Sequence, residues 1–310
     1  MADGADEQGT VEATAEEAGQ RLDRFLADRM SISRARVRHL LEVGRVSLGD
    51  RVLTLSDKSH AAAEGERFEV AGALRAEDER PTPRPDLDLE IVSEGDGFVV
   101  VNKPAGVGVH PLRPDQEDTV LNALIARRPD IIGVGEGGLR SAVVHRLDVD
   151  TSGAVVFATH EASWKVIRGA FSDHRVDKRY QAIVARRFDR ERRVDFPLEI
   201  TTHQPAHVRV KDKGRRCLQH VRPLRIFANA TLIEVKLETG FLHQIRASMA
   251  HLGHPVLGDR EYFGDATPPP FDIPRQMLHS TRIGMDAIFA EIQPPADFEE
   301  VLLKLAASEA

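Results

Sequence analysis

Ala142-Val143-Val144-His145-Arg146-Leu147-Asp148-Val149-Asp150-Thr151-Ser152-Gly153-Ala154-Val155-Val156-Phe157-Ala158 is the stretch on which the reading of this chain turns. Two apolar, β-branched runs, Ala142–Val144 and Ala154–Ala158, bracket a loop of turn formers and charged groups, the pattern of two strands joined directly. Parallel neighbours need a crossover of a dozen or more residues, usually a helix, and none fits here. Further short β-like runs follow at Phe98–Val101, Tyr180–Val184 and Leu232–Leu237, with helical periodicity around Leu121–Ala126, Trp164–Phe171 and Phe241–Leu252. The arrangement predicts an α+β domain built on a mixed, mainly antiparallel sheet rather than a doubly wound one.

The loop inside that stretch is also the densest group of unlike polar side chains. Asp148 could serve as nucleophile or base, with Arg146 two residues away. A plain turn explains the same Asp, Thr, Ser and Gly residues equally well. A second constellation is Glu238-Thr239-Gly240-Phe241-Leu242-His243-Gln244-Ile245-Arg246. There Leu242, Ile245, Met249 and Leu252 form a helical stripe stopped by Gly253 and Pro255. Arg246 lies at the edge of that stripe, where it either snorkels to solvent or turns inward to a carboxylate and keeps it ionised. Tyr180 shares a strand face with Lys178, Ala182 and Val184, as core filler or as a stacking platform for a base. Lys103-Pro104-Ala105-Gly106 reads as a type I turn without the glycine spacing of a phosphate loop. His243 and His251 fall on different helix faces and, with His254, match no metal-binding pattern.

Ahead of this domain, Leu22, Phe25 and Leu26 mark a short amphipathic helix. Ser33 caps a second one, with Val37, Leu40 and Leu41 inside and Gly44 at its end. Arg34 and Arg38 sit on the border between its apolar and solvent faces. Val46–Val52 and Arg67–Val70 alternate as strands, with Gly49-Asp50 at a turn. Residues 19–75 therefore form a small α+β module. The proline-rich residues 76–86 predict a stiff, solvated linker, and residues 87–305 the larger domain. Residues 1–18, acidic and without periodicity, predict a disordered tail.

Length and composition agree with two soluble domains: 310 residues, 41% hydrophobic and 29% charged. No apolar run approaches the roughly 18 residues of a membrane span, and no secretory signal is visible. The single cysteine, Cys217, excludes an internal disulfide framework and a multi-cysteine zinc site, which predicts a reducing, cytoplasmic setting. The net charge of −7 hides an asymmetry. Without the six acids of residues 1–19 the remaining chain would carry −1, and Gln20–Arg51 holds eight arginines against four acids. A basic module behind an acidic tail is compatible with a nucleic-acid partner.

Taken in order, these motifs resemble the RluA-type family of RNA pseudouridine synthases. The carriers are Asn102-Lys103-Pro104-Ala105-Gly106 with His110-Pro111, then His145-Arg146-Leu147-Asp148 with Thr151-Ser152-Gly153. Lys178-Arg179-Tyr180-Gln181-Ala182 follows, then Thr239-Gly240 with His243-Gln244-Ile245-Arg246, and Leu252–Asp259. Residues 20–70 resemble the αL-type RNA-binding domain first known from a small-subunit ribosomal protein. The resemblance implies that Asp148 is the catalytic aspartate and that Arg146 enters the RNA in place of a flipped uridine. It likewise implies that Tyr180 stacks on the uracil and that Arg246 pairs with the aspartate. His145, Thr151, Ser152, Lys178, His243, Arg34 and Arg38 are the further expected substrate contacts.

The implied reaction breaks the bond between C1′ and N1 of uridine, turns the base over and rejoins it through C5, without metal or other cofactor. Attack of Asp148 at C1′ and removal of a sugar proton both fit. Large-subunit ribosomal RNA is the expected substrate and transfer RNA the alternative. A non-catalytic ribosome-assembly protein and a nucleoside hydrolase are the competing classes. A monomer is expected. Two departures from the family pattern are Phe241-Leu242, where Arg-Thr is common, and the missing threonine in Arg215-Arg216-Cys217-Leu218-Gln219-His220.

Overall fold

The computed structural model describes residues 9–71, 79–203 and 205–308. The chain divides into two compact units, Met1–Arg80 with Gly137–Leu139, and Pro81–Glu136 with Arg140–Ala310.

In the first unit, Gly9–Glu12 (β1), Val46–Leu48 (β2), Arg51–Leu53 (β3) and Arg67–Val70 (β4) form a sheet in the order β1-β4-β2-β3. Two helices, Leu22–Met30 (α1) and Arg34–Glu42 (α2), pack on it through Leu22, Phe25, Leu26, Val37, Leu40 and Leu41. Ser33 caps α2 by accepting the Arg36 N–H. The expectation of a disordered tail over 1–18 is corrected for residues 9–18. Gly9–Glu12 pairs with β4, and Val11 and Ala13 are buried in the core. One apolar residue between exposed neighbours is enough to complete a sheet edge, though too short to stand out from an acidic background. Residues 1–8 lie outside the described residues, as do 72–78 of the expected module and linker.

The second unit contains Glu90–Gly95 (β5), Phe98–Lys103 (β6), Val120–Arg127 (α3), Ser152–Ala158 (β7), Glu161–Ser172 (α4) and Asp177–Ala185 (β8). Arg192–His203 (β9), Ala206–Val210 (β10), Arg215–Ile226 (β11), Ala230–Leu237 (β12) and Gln244–His251 (α5) come next. Leu278–Met285 (β13), Ile288–Glu291 (β14) and Ala296–Ala307 (α6) complete it. The strands form one sheet in the order β10-β9-β11-β12-β8-β13-β7-β6-β5, with β14 on β13. Only β7 and β13 run parallel among the described strands; the other pairs are antiparallel. One face carries Val99, Val155, Ala182 and Val235 against Leu121 and Leu124 of α3 and Ile245 and Met249 of α5. The other buries Val100 and Val156 against α4, and Ile183 and Ala185 against α6.

Three local expectations change. Ala142–Val144 is not a strand: Ala142 takes a left-handed φ of 64° that turns the chain, and the run contributes one isolated bridge, Val143 to Phe157. Within the expected linker, Thr82 and Arg84 are held on α3 by hydrogen bonds to Asn122 (2.8 and 2.9 Å), so this part is packed rather than solvated. Helix α5 begins at Gln244, not Phe241, because His243 stands at its N-cap with a φ of 50°.

Candidate active site

The loop 145–151 enters the most buried strand of the sheet, β7, and is fastened at almost every residue. Lys103, fully buried at the end of β6, donates to the carbonyls of Pro104, Val107 and Val149 at 2.6–2.8 Å. Burial lowers its pKa to about 7, while three carbonyls match the three donors of an ammonium. The Gly106 N–H joins it on Val149. Arg275 holds the Asp150 carbonyl at 3.0 Å, and Gln276 donates to the Thr151 hydroxyl at 2.8 Å. Gly153 lets β7 approach β13: its φ is +110°, and a Cβ there would overlap the Ser280 backbone. A loop so anchored can present Asp148 in one position.

Arg246 settles its alternatives by turning inward. It is buried on α5 and donates to Asp148 Oδ2 at 3.0 Å, to both oxygens of Asp259 at 2.7 and 2.9 Å, and to Glu261 at 3.1 Å. Burial opposes its charge, but the hydrogen bonds and Coulomb attraction of Asp259 and Asp148 prevail and raise its pKa. The fork thus orients Asp148 by one oxygen. His243 Nε2 lies 3.9 Å from the other, Oδ1.

Asp148 and Arg146 border two adjoining cavities. The smaller, about 70 Å³, is lined half by Leu147, Tyr180, Leu237, Phe241, Ile245 and Leu278 and half by polar residues, the Asp148 and Arg246 pair among them. The larger, about 310 Å³, opens past His110, Leu112 and Gln116. Tyr180 is buried on β8 and burial pushes its phenol up to about 12, so it stays protonated. Arg146 is exposed and has no ion pair among the described residues. A slot with apolar side chains and an aromatic ring in its wall, the Asp148 carboxyl group beside them and the exposed Arg146 nearby can accept a flat base and act at the adjoining sugar carbon.

The other expected substrate contacts separate. Thr151 and His243 border the small cavity. His145, Ser152 and Lys178 line neither cavity. His145 stacks on Phe171 at 4.5 Å and accepts the Val156 N–H, with desolvation lowering its pKa to about 3. Ser152 is buried between His279 and Arg275. Lys178, its pKa lowered to about 8 by burial, reaches the Thr239 carbonyl.

In the first unit, Arg34 and Arg38 converge with Arg21 on Asp23, whose carboxylate is fully buried. Burial raises the Asp23 pKa, but the three guanidinium hydrogen bonds outweigh it and the group stays ionised. One acid thus arrays three half-exposed arginines.

Sequence reasoning passed over Lys103, Glu261, Tyr262 and Arg275, although Lys103 stands inside the Asn102–Gly106 motif. Among the described residues no group of His, Cys, Asp and Glu could hold a metal ion, and no helix is long and apolar enough to cross a membrane.

Residues 97–251 match the RNA pseudouridylate synthase family, and the chain belongs to it. It is 35% identical to the ribosomal large subunit pseudouridine synthase D of Haemophilus influenzae, over 84% of this chain and 78% of that protein. With the proteins of the same description from Pseudomonas aeruginosa and Zymomonas mobilis it shares 36% and 35% identity. Those matches cover 90% and 88% of this chain, and 88% of each relative. The fold is shared with human RNA pseudouridylate synthase domain containing 4 (TM-score 0.57, 21% identity, 70% of this chain and 93% of that one). The human domain-containing 1 protein is similar (TM-score 0.54, 24% identity, 71% and 95%).

Proposed function

We propose that this chain isomerises uridine to pseudouridine in large-subunit ribosomal RNA. One observation carries the chemistry: Asp148, oriented by Arg246, stands in the wall of the slot that Tyr180 also lines. The substrate comes from the relatives, three of which are named for the large ribosomal subunit. A stacked uridine must be flipped out, at a cost of a few kcal/mol. Arg146, exposed and unpaired among the described residues, fills the vacated space, and Tyr180 stacks on the uracil. Asp148 then acts at the sugar, by attack at C1′ or by taking a sugar proton. The C1′–N1 bond breaks, the base turns within the slot, C1′ bonds to C5, the C5 proton is lost and N1 gains one. Reactant and product are isomers, so no cofactor is consumed.

Residues 19–75 serve as an RNA-docking module through Arg34 and Arg38, in a monomeric cytoplasmic protein. The test is to incubate the protein and its Asp148→Asn form with unmodified ribosomal and transfer RNA and map pseudouridine at nucleotide resolution. The expected result is product in large-subunit RNA that vanishes with Asp148→Asn while RNA binding persists. Equal product from both forms, or release of free uracil, overturns the assignment.

A further inference from the structure

Behind the aspartate stands a hydrogen-bond chain that the isomerisation steps leave unused. The Val208 N–H on β10 donates to the Tyr262 hydroxyl at 2.8 Å, and that hydroxyl lies 2.9 Å from Nδ1 of His243. The phenol has a single proton and no other acceptor among the described residues. With the Val208 N–H occupying one lone pair, the phenol proton and Nδ1 satisfy each other when the hydroxyl donates to Nδ1. A neutral imidazole that accepts at Nδ1 must carry its proton on Nε2, the nitrogen 3.9 Å from Asp148 Oδ1 and in the wall of both cavities. Burial favours the neutral ring and the protonated phenol.

The groups facing His243 are Asp148, Arg246, Asp259, Glu261 and Tyr262. It keeps its place despite a left-handed φ of 50°, a conformation uncommon for a residue with a side chain. The Tyr262 ring packs 5.0 Å from the Arg246 guanidinium and 4.8 Å from the His207 ring, so its position is set independently of the hydroxyl.

We infer that Tyr262 is a positioning residue for this reaction: its hydroxyl, set by the Val208 amide, locks His243 in the Nε2–H form facing the oxygen of Asp148 that Arg246 leaves unheld. Asp148 then has its two oxygens distinguished, Oδ2 bound to the guanidinium and Oδ1 beside a neutral donor that can follow it or meet the substrate. The inference rests on the pseudouridine synthase reading for its kinetic part only.

Tyr262→Phe keeps the ring and deletes the proton. In ¹⁵N spectra of the full-length protein, with the His243 signals assigned from His243→Gln, His243 should show the Nε2–H pattern in wild type and a tautomer mixture in Tyr262→Phe. An Nδ1–H pattern in wild type, or an unchanged pattern in the variant, overturns the inference, whether or not the protein makes pseudouridine. In single turnover on RNA, Tyr262→Phe should slow product formation about tenfold or more with RNA affinity unchanged. The effect should disappear in a His243→Gln background, because both changes act through one imidazole. Multiplying effects in the double variant would refute action through His243. If Tyr262→Phe does not fold, the wild-type tautomer alone decides.

Discussion

Replacing Arg246 by Met removes a cation of similar length that serves three carboxylates at once. Asp148, Asp259 and Glu261 would be left around a buried apolar chain, their oxygens formerly 2.7–3.1 Å from the guanidinium. Breaking a buried ionic group by removing one partner costs about 3–5 kcal/mol, a large part of the roughly 5–15 kcal/mol that holds a domain together. The rate has a separate magnitude. Asp148 loses one charge-assisted hydrogen bond, about 1.5–3 kcal/mol, or about 10- to 150-fold if that bond positions it in the transition state.

The loss comes from buried negative charge left without its partner, so the midpoint should fall further below wild type at pH 7.5 than at pH 5. Urea midpoints at pH 5 and 7.5 would check this, alongside single-turnover pseudouridine formation measured well below the unfolding temperature. A Met variant with wild-type midpoint at both pH values and less than a threefold rate loss would refute the role assigned to Arg246. Arg246→Lys should rescue little, since an ammonium cannot reproduce the fork on Asp259 while reaching Asp148.

Other perturbations test the supports. Lys103 has a folded pKa of about 7, below its unfolded value, so the unfolded chain binds the proton between those limits. Stability should therefore climb from about pH 7 toward about 10, and Lys103→Met should flatten that slope in urea titrations. Gly153→Ala, at φ +110° against the Ser280 backbone, should cost at least about 2 kcal/mol in chemical denaturation; a near-neutral result would contradict the close approach of β7 and β13. Arg34→Ala with Arg38→Ala should weaken RNA binding and lower the salt slope of log K by about one for each phosphate no longer neutralised. An unchanged slope would remove these arginines from the RNA interface.

Much was legible from local pattern. Ser33 capped its helix as expected, and the stripes of α1 and α2 turned inward, because caps and amphipathic spacing act within one or two turns. Strands that follow one another without crossover helices announced the antiparallel sheet. Recurrent motifs brought Asp148, Tyr180, Arg246 and His243 into one set, and the fold places all four around one cavity. The same set also contained His145, Ser152 and Lys178, whose polar side chains bond to an amide, a buried histidine and a backbone carbonyl.

What the chain order determined by itself was the kind of element at each place and the set of residues from which a site could be built. Which way Arg246 turns was decided only in three dimensions, by Asp259 and Glu261, 13 and 15 positions onward, and Asp148, 98 positions back. The grip of Lys103 on Val149 and of Tyr262 on both His243 and Val208 likewise joins segments that no local spacing relates. The physical reason is that a buried charge or hydroxyl must find partners wherever packing brings them. Local propensity chooses helix or strand, but the search for partners is settled by the whole fold.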